Sequence, residues 1–273
     1  MTATTYQTNT SHCRISVTDT GGNGPVVLLI HGNSSCKEVF TRQFESDLTR
    51  RFRFVAFDLP GHGASADAID PQLTYSMPGY ADVAVELLHS LGITRLAVFG
   101  WSLGGHIGIE LSTRPVDVVG LLLTGTPPIG HNAADFAAGF LPSEHMELTG
   151  KENFSATDIT SYARETTGAP APFIEAAVRR TDGRARRLML AAVSAGRGVD
   201  QREVVANSSV PIAVVTGADE PFINNDYLAQ FPYRNLWEAR VHVINNTGHA
   251  PFWERPEQFN VLFSRFLNDV LAP

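Results

Sequence analysis

Ser102 lies in Gly100-Trp101-Ser102-Leu103-Gly104-Gly105, between a small apolar run, Leu96 to Phe99, and a helix-compatible segment, His106 to Thr113. A serine on a sharp strand-to-helix turn needs small neighbours, because its backbone is strained and the two elements must approach closely. The turn pushes the hydroxyl out at the end of a sheet, and the following helix aims its first N–H groups at the same spot. A serine hydroxyl becomes a useful nucleophile when a neighbouring base takes its proton, and that base must be held in the right tautomer by a third group. His249 is a candidate base, late in the chain in the small-residue loop Asn246-Thr247-Gly248-His249-Ala250-Pro251-Phe252. His242 lies inside a strand-like run and reads as packed or solvated. Gly217-Ala218-Asp219-Glu220-Pro221-Phe222 offers two adjacent carboxylates for the third role, and residue types alone leave Asp219 and Glu220 both open.

These residues need a scaffold, and the hydropathy pattern supplies one. Residues 12–19 alternate in the manner of a half-buried strand, and the run 21–25 is a turn. Continuous apolar runs of strand length follow at 25–30 and 52–57, as expected for strands covered on both faces. Further strands are expected at 95–99, 118–124, 210–216 and 240–244. Helices are expected over 36–49 and 80–91, and over 256–271, where Pro256 stands at a helix start. Strand and helix alternation of this kind predicts an α/β protein with a mostly parallel, doubly wound sheet. From about Gly125 to Ala206 the chain is alanine-rich without a convincing strand. Helices are expected there at 133–141, 155–166, 172–180 and 184–194, and such an insertion reads as a lid over the carboxyl edge of the sheet. The expected organisation is a core of residues 1–125 and 207–273, with a helical cap at 126–206.

A net charge of −7 argues against nucleic acid and anionic membrane as partners. No apolar run approaches the length of a transmembrane helix, and the first two dozen residues are polar and threonine-rich, without a signal-peptide core. A cytoplasmic location is the expectation. Cys13 and Cys36 have no metal or redox spacing and read as an apolar filler and a loop thiol. The arginines at 179, 180, 184, 186 and 187 read as a solvated or salt-bridged helix face, or as an anchor for an anionic group. No glycine-rich phosphate cradle stands apart from the serine turn, and the nine histidines are scattered. No cofactor and no metal are expected.

Eight stretches carry a resemblance: HGNSS at 31–35, DLPGHG at 58–63, YSMPGYAD at 75–82, VFGWSLGGHIGIE at 98–110, TGTPP at 124–128, TDGRARR at 181–187, DEPF at 219–222 and GHAPF at 248–252. Together they resemble the AidH-type N-acylhomoserine lactonases, which are metal-independent, quorum-signal-degrading members of the α/β-hydrolase superfamily. The similarity spans nearly the whole chain, including the helical insertion. It implies the α/β-hydrolase fold and the chain order serine, acid, histidine, hence Ser102 as nucleophile and His249 as base. In the family pattern the acid comes three positions after the glycine and is usually aspartate. That places Glu220 in the slot, with Asp219 as second choice, capping a helix or bonding loop N–H groups. The resemblance also implies an oxyanion hole from the N–H groups of Leu103 and Asn33, with Gly32 letting the loop turn. His31 braces this loop, and Asp58 and His62 belong to a structural turn.

Trp101, next to the nucleophile, is expected to bound the pocket; for Tyr162 the resemblance implies a donor to the ligand, with a packing role as the equal alternative. Phe136, Phe140, Leu141, Phe173, Ile174, Leu188 and Met189 are candidates for an apolar wall, with packing inside the cap as the equal alternative. The implied substrate is a small acyl lactone or ester, opened through an acyl-enzyme, by a monomer or weak homodimer. A general carboxylesterase is the nearest rival, and a perhydrolase or carbon–carbon hydrolase fits the same three residues. Epoxide hydrolases and dehalogenases use aspartate where this chain has Ser102. A non-catalytic ligand sensor on the same scaffold is the alternative from a different class.

Overall fold

The computed structural model describes residues 3–168 and 171–272. Eight strands form one sheet: β1 (Thr4–Asn9), β2 (Arg14–Asp19), β3 (Val26–Ile30), β4 (Arg53–Phe57), β5 (Arg95–Trp101), β6 (Asp117–Thr124), β7 (Ile212–Gly217) and β8 (His242–Ile244). Their order is β1-β2-β4-β3-β5-β6-β7-β8. The β1–β2 and β2–β4 pairs are antiparallel, and every pair from β4 to β8 is parallel. This is an α/β-hydrolase fold, a mostly parallel sheet wound on both faces.

The continuous apolar runs are explained by this double coverage. In β3, Leu28 and Ile30 join one core cluster while Val27 and Leu29 join the other. The first layer packs Tyr80, Val83 and Leu87 of the helix Met77–Ser90 with Ile107 and Leu111 of the helix Leu103–Leu111. The second packs Phe259, Phe263, Phe266 and Leu267 of the helix Pro256–Leu271. Its aromatic rings interlock, with Phe99 and Phe259 centroids 5.1 Å apart. Both layers fix the end of β5, where Ser102 stands immediately before the next helix.

Between β6 and β7 the described residues form six helices: Ala133–Gly139, Glu144–Leu148, Ala156–Thr167, Pro172–Arg180, Gly183–Ser194 and Gln201–Asn207. Their starts follow local chemistry. Ser155 and Asp158 form a reciprocal capping box, Pro172 opens its helix, and Asp200 accepts from the Glu203 N–H. Ile159, Tyr162, Ala163, Ile174 and Val178 make a small core of their own in this segment. Arg186, 3% exposed, ties the segment down. It donates to the carbonyls of Lys151 and Glu152 and to Ser34 Oγ, with its guanidinium 3.9 Å from the centre of the Phe154 ring.

Four expectations change. The edge strand β1 was not legible, because its Thr-rich sequence presents polar residues on both faces of an exposed strand. The helix expected over 36–49 is broken into a 3₁₀ turn Lys37–Phe40, a four-residue helix Thr41–Phe44 and a second 3₁₀ turn Asp47–Arg50. Asp58 holds the start, accepting from the Lys37 N–H at 2.7 Å and from its Nζ at 2.8 Å, and Ser46 restarts the chain by capping Leu48. The helices Glu144–Leu148 and Gln201–Asn207 add to those expected between β6 and β7. The last strand is shorter, because the 3₁₀ turn Trp237–Ala239 and the extended Arg240 precede it. Among the described residues no helix is long and apolar enough to cross a membrane.

Candidate active site

Ser102 follows β5 with φ 54° and ψ −120°, a conformation that non-glycine residues adopt only when their surroundings enforce it. The enforcement is visible: the Ser102 N–H donates to the Thr124 carbonyl at 2.8 Å, and Thr126 Oγ1 donates to the Ser102 carbonyl at 2.9 Å. Gly104 permits the close crossing behind the turn, since a Cβ there would collide with the Ile30 carbonyl. In front, a Cβ on Gly32 would lie 3.2 Å from both Ser102 Cβ and the Trp101 ring. Leu103 is the first residue of the helix, so its N–H is one of those that no helical carbonyl takes.

His249 Nδ1 lies 2.9 Å from both Glu220 Oε1 and Oε2, and both side chains are buried. Glu220 Oε1 also accepts from the Phe222 N–H at 3.0 Å. Trp101 Nε1 donates to the His249 carbonyl at 2.9 Å, and the Phe222 ring meets the imidazole edge-on at 4.9 Å. The imidazole is thus held by its backbone, one face and one nitrogen. Asp219 is exposed, and its N–H donates to the Thr247 carbonyl at 2.9 Å. Of the two adjacent carboxylates, the one in contact with His249 is that of Glu220.

Ser102 and His249 line one cavity together with Gly32, Asn33, Trp101, Leu103, Phe136, Phe140, Tyr162 and Met189, all proposed from the sequence. Glu220 stands behind His249, outside the lining. Four apolar candidates lie elsewhere. Phe173 packs on Trp253 at 5.4 Å, Ile174 belongs to the small cluster of the helical segment, Leu188 to the main core, and Leu141 is exposed. Asn33 Nδ2 donates to the Thr149 carbonyl at 3.1 Å, joining the loop after β3 to the helical segment. Burial pushes the Tyr162 phenol up to about 12, so it stays protonated, and its ring packs against Phe154 at 5.5 Å.

Sequence reasoning missed other lining residues, among them Met77, Ile129, Thr149, Phe222 and His106. His106 is the fourth residue of the helix that follows Ser102, about one turn from the serine. His31 uses both nitrogens, Nδ1 on the Gly32 carbonyl at 2.8 Å and Nε2 on the Leu59 N–H at 3.0 Å. His62 Nδ1 meets the Pro60 carbonyl at 3.0 Å, and Asp58 serves Lys37 and the Ala64 N–H. None of these three lines the cavity, and neither does any of the five arginines. Arg180 pairs with Asp67 at 3.0 Å, Arg184 with Asp182 at 2.7 Å and Arg187 with Glu152, whereas Arg179 is exposed. Among the described residues no three His, Cys, Asp or Glu side chains are grouped to hold a metal ion.

A family model described as the alpha/beta hydrolase family matches residues 27–261. The chain belongs to the alpha/beta hydrolase family. Within that family it is similar to crystal structures of the N-acyl homoserine lactonase AidH. A mutant of that protein complexed with N-hexanoyl homoserine is 46% identical, with TM-score 0.97, covering 100% of this chain and 98% of that one. Another mutant, complexed with N-hexanoyl homoserine lactone, is 47% identical with TM-score 0.95, covering 98% of both chains. A pimeloyl-[acyl-carrier protein] methyl ester esterase from Nitrosomonas europaea is 30% identical over 260 residues, 88% of this chain and 95% of the relative. This hydrolase therefore has lactone and ester specialists among its kin, and the fold alone does not choose between them.

Proposed function

We propose that this hydrolase opens the lactone ring of N-acylhomoserine lactones, and so degrades quorum-sensing signals, using Ser102, His249 and Glu220 as a catalytic triad under a cap formed by residues 126–206. Ser102 Oγ attacks the ring carbonyl while His249 Nε2 takes its proton. Glu220 accepts the Nδ1 proton and keeps Nε2 free for that task. The N–H groups of Leu103 and Asn33 receive the oxyanion. His249 then returns the proton to the ring oxygen as the C–O bond breaks, leaving an ester between Ser102 and N-acylhomoserine. Water, deprotonated by His249, cleaves that ester and releases the ring-opened acid. An alkoxide leaves more readily than an amine, which favours lactone opening over cleavage of the amide in the same molecule.

One observation supports the choice of chemistry: a buried imidazole hydrogen-bonded to a buried carboxylate shares a cavity with a serine held at φ 54°. The choice of substrate is supported by likeness over the full chain, helical segment included, to AidH structures complexed with acyl homoserine compounds. A neutral fatty ligand also suits walls such as Phe136, Phe140 and Met189. The esterase relative favours a second reading, a general carboxylesterase on the same residues. Comparing kcat/KM on an acylhomoserine lactone and on an aryl ester of equal chain length separates the two. The lactone is expected to be the better substrate, with Ser102→Ala abolishing turnover of both. A marked preference for the aryl ester would favour the carboxylesterase.

A further inference from the structure

His106 is a buried polar residue in the cavity that the triad chemistry does not use. Its Nδ1 lies 2.7 Å from Gln201 Oε1, and its ring faces Phe140, with centroids 6.4 Å apart. The orientation of Gln201 is decided on its other side, where Nε2 donates to the His106 carbonyl at 3.4 Å and lies 3.5 Å from Met77 Sδ. A reversed amide would set oxygen against that carbonyl. The amide oxygen accepts only, so Nδ1 carries the proton and Nε2 is left with a bare lone pair. Among the described residues Nε2 makes no hydrogen bond. With Nδ1 covered by Gln201 and one face against Phe140, the edge carrying Nε2 is the one left to the cavity. Burial lowers the imidazole to about 4, so it is neutral near pH 7 and stays an acceptor.

Distance selects what this acceptor meets. His106 is the fourth residue of the helix that follows Ser102, about 6 Å along the helix axis from it. In an acylhomoserine lactone bound for attack, the third carbon of the acyl chain is five bonds from the ring carbonyl, roughly 6 Å when extended. We propose that His106 is a specificity-determining residue whose Nε2 accepts a hydrogen bond from a hydroxyl on the third carbon of the acyl chain and disfavours a keto oxygen there. A keto oxygen would place two acceptors face to face, each stripped of water. This rests on the acylhomoserine lactone reading of the site.

The test is kcat/KM of the full-length protein on N-octanoyl-, N-(3-hydroxyoctanoyl)- and N-(3-oxooctanoyl)-homoserine lactone. The native protein is expected to favour hydroxyl over keto by about tenfold or more. In His106→Phe that ratio falls to near one, whatever the absolute rate. In Gln201→Met the tautomer is no longer fixed, Nε2 can carry the proton, and the penalty on the keto compound shrinks. The second variant keeps the test decisive if the first does not fold. A native preference for keto, no native discrimination, or a ratio unchanged in the variants would overturn the assignment. Failure to open any of the three lactones, the unsubstituted one included, would overturn the lactonase reading and this assignment with it. Ring opening without the hydroxyl preference overturns the role of His106 alone.

Discussion

On the proposed triad, the contact between His249 Nδ1 and Glu220 decides which imidazole nitrogen is left for the serine. A carboxylate accepts the Nδ1 proton and leaves Nε2 bare, whereas a carboxamide can turn its NH₂ to Nδ1 and reverse the tautomer. Glu220→Gln is therefore expected to lower kcat by about 10³- to 10⁴-fold. Asp219→Asn, altering an exposed side chain one residue away, should stay within about twofold of native, as exposed positions usually do. Steady-state kinetics on one lactone reads both, and the reverse pattern would move the acid role to Asp219. The sequence alone could not choose between these neighbours. In a loop no periodicity says which of two consecutive side chains turns inward, and the family pattern, not the residues themselves, pointed to Glu220. His106 is not legible for a related reason: its helix, Leu103–Leu111, is buried all round, so spacing does not say which side chain meets the cavity.

Arg186 connects the helical segment to the loop beside the serine, through Ser34 Oγ, two carbonyls and the Phe154 ring. Its neighbours in the arginine cluster make surface ion pairs or lie exposed, which a run of like charges does not disclose. Arg186→Met keeps the side chain's length and removes all three hydrogen bonds. Thermal unfolding is expected to show a Tm lowered by about 5 °C or more, since charge-assisted bonds are worth about 1.5–3 kcal/mol each. KM should rise with it, because the 149–154 stretch loses its anchor beside Asn33 and Thr149. An unchanged Tm and KM would show that the anchor does not matter. Gly104→Ala tests the strand-to-helix turn at Ser102 in the same way. Its Cβ would meet the Ile30 carbonyl, so the helix must retreat from the sheet, and soluble yield and activity should both fall. The parallel strands were legible because burial on both faces writes long apolar runs, and the turn at Ser102 because glycines flank the serine. β1 was not, because its Thr-rich sequence is polar on both faces, nor was the broken 37–50 segment, where side chains such as Asp58 and Ser46, not hydrophobic spacing, set the path.

At the scale of the whole molecule, three histidines are buried neutral: His31 and His106 at about 4 and His62 at about 3, each lowered chiefly by burial. In the unfolded chain each would titrate near 6.5. The sign follows from proton binding: below pH 6.5 the unfolded chain takes up protons that the folded one refuses, so stability falls as pH drops from about 6.5 towards 4. Each such proton contributes a slope of about 1.4 kcal/mol per pH unit within that window. Urea unfolding at pH 7.5, 6 and 5 should show the midpoint falling steadily, and a flat midpoint would contradict the buried neutral state. The same core that keeps these imidazoles neutral also holds Ser102 and His249 on the walls of one cavity. What that cavity does is tested most directly by mass spectrometry of the products from an N-acylhomoserine lactone, with Ser102→Ala in parallel. The expected product is the substrate plus one water with its amide intact, absent from the variant. Free fatty acid with intact homoserine lactone, or undiminished product from Ser102→Ala, would contradict the account.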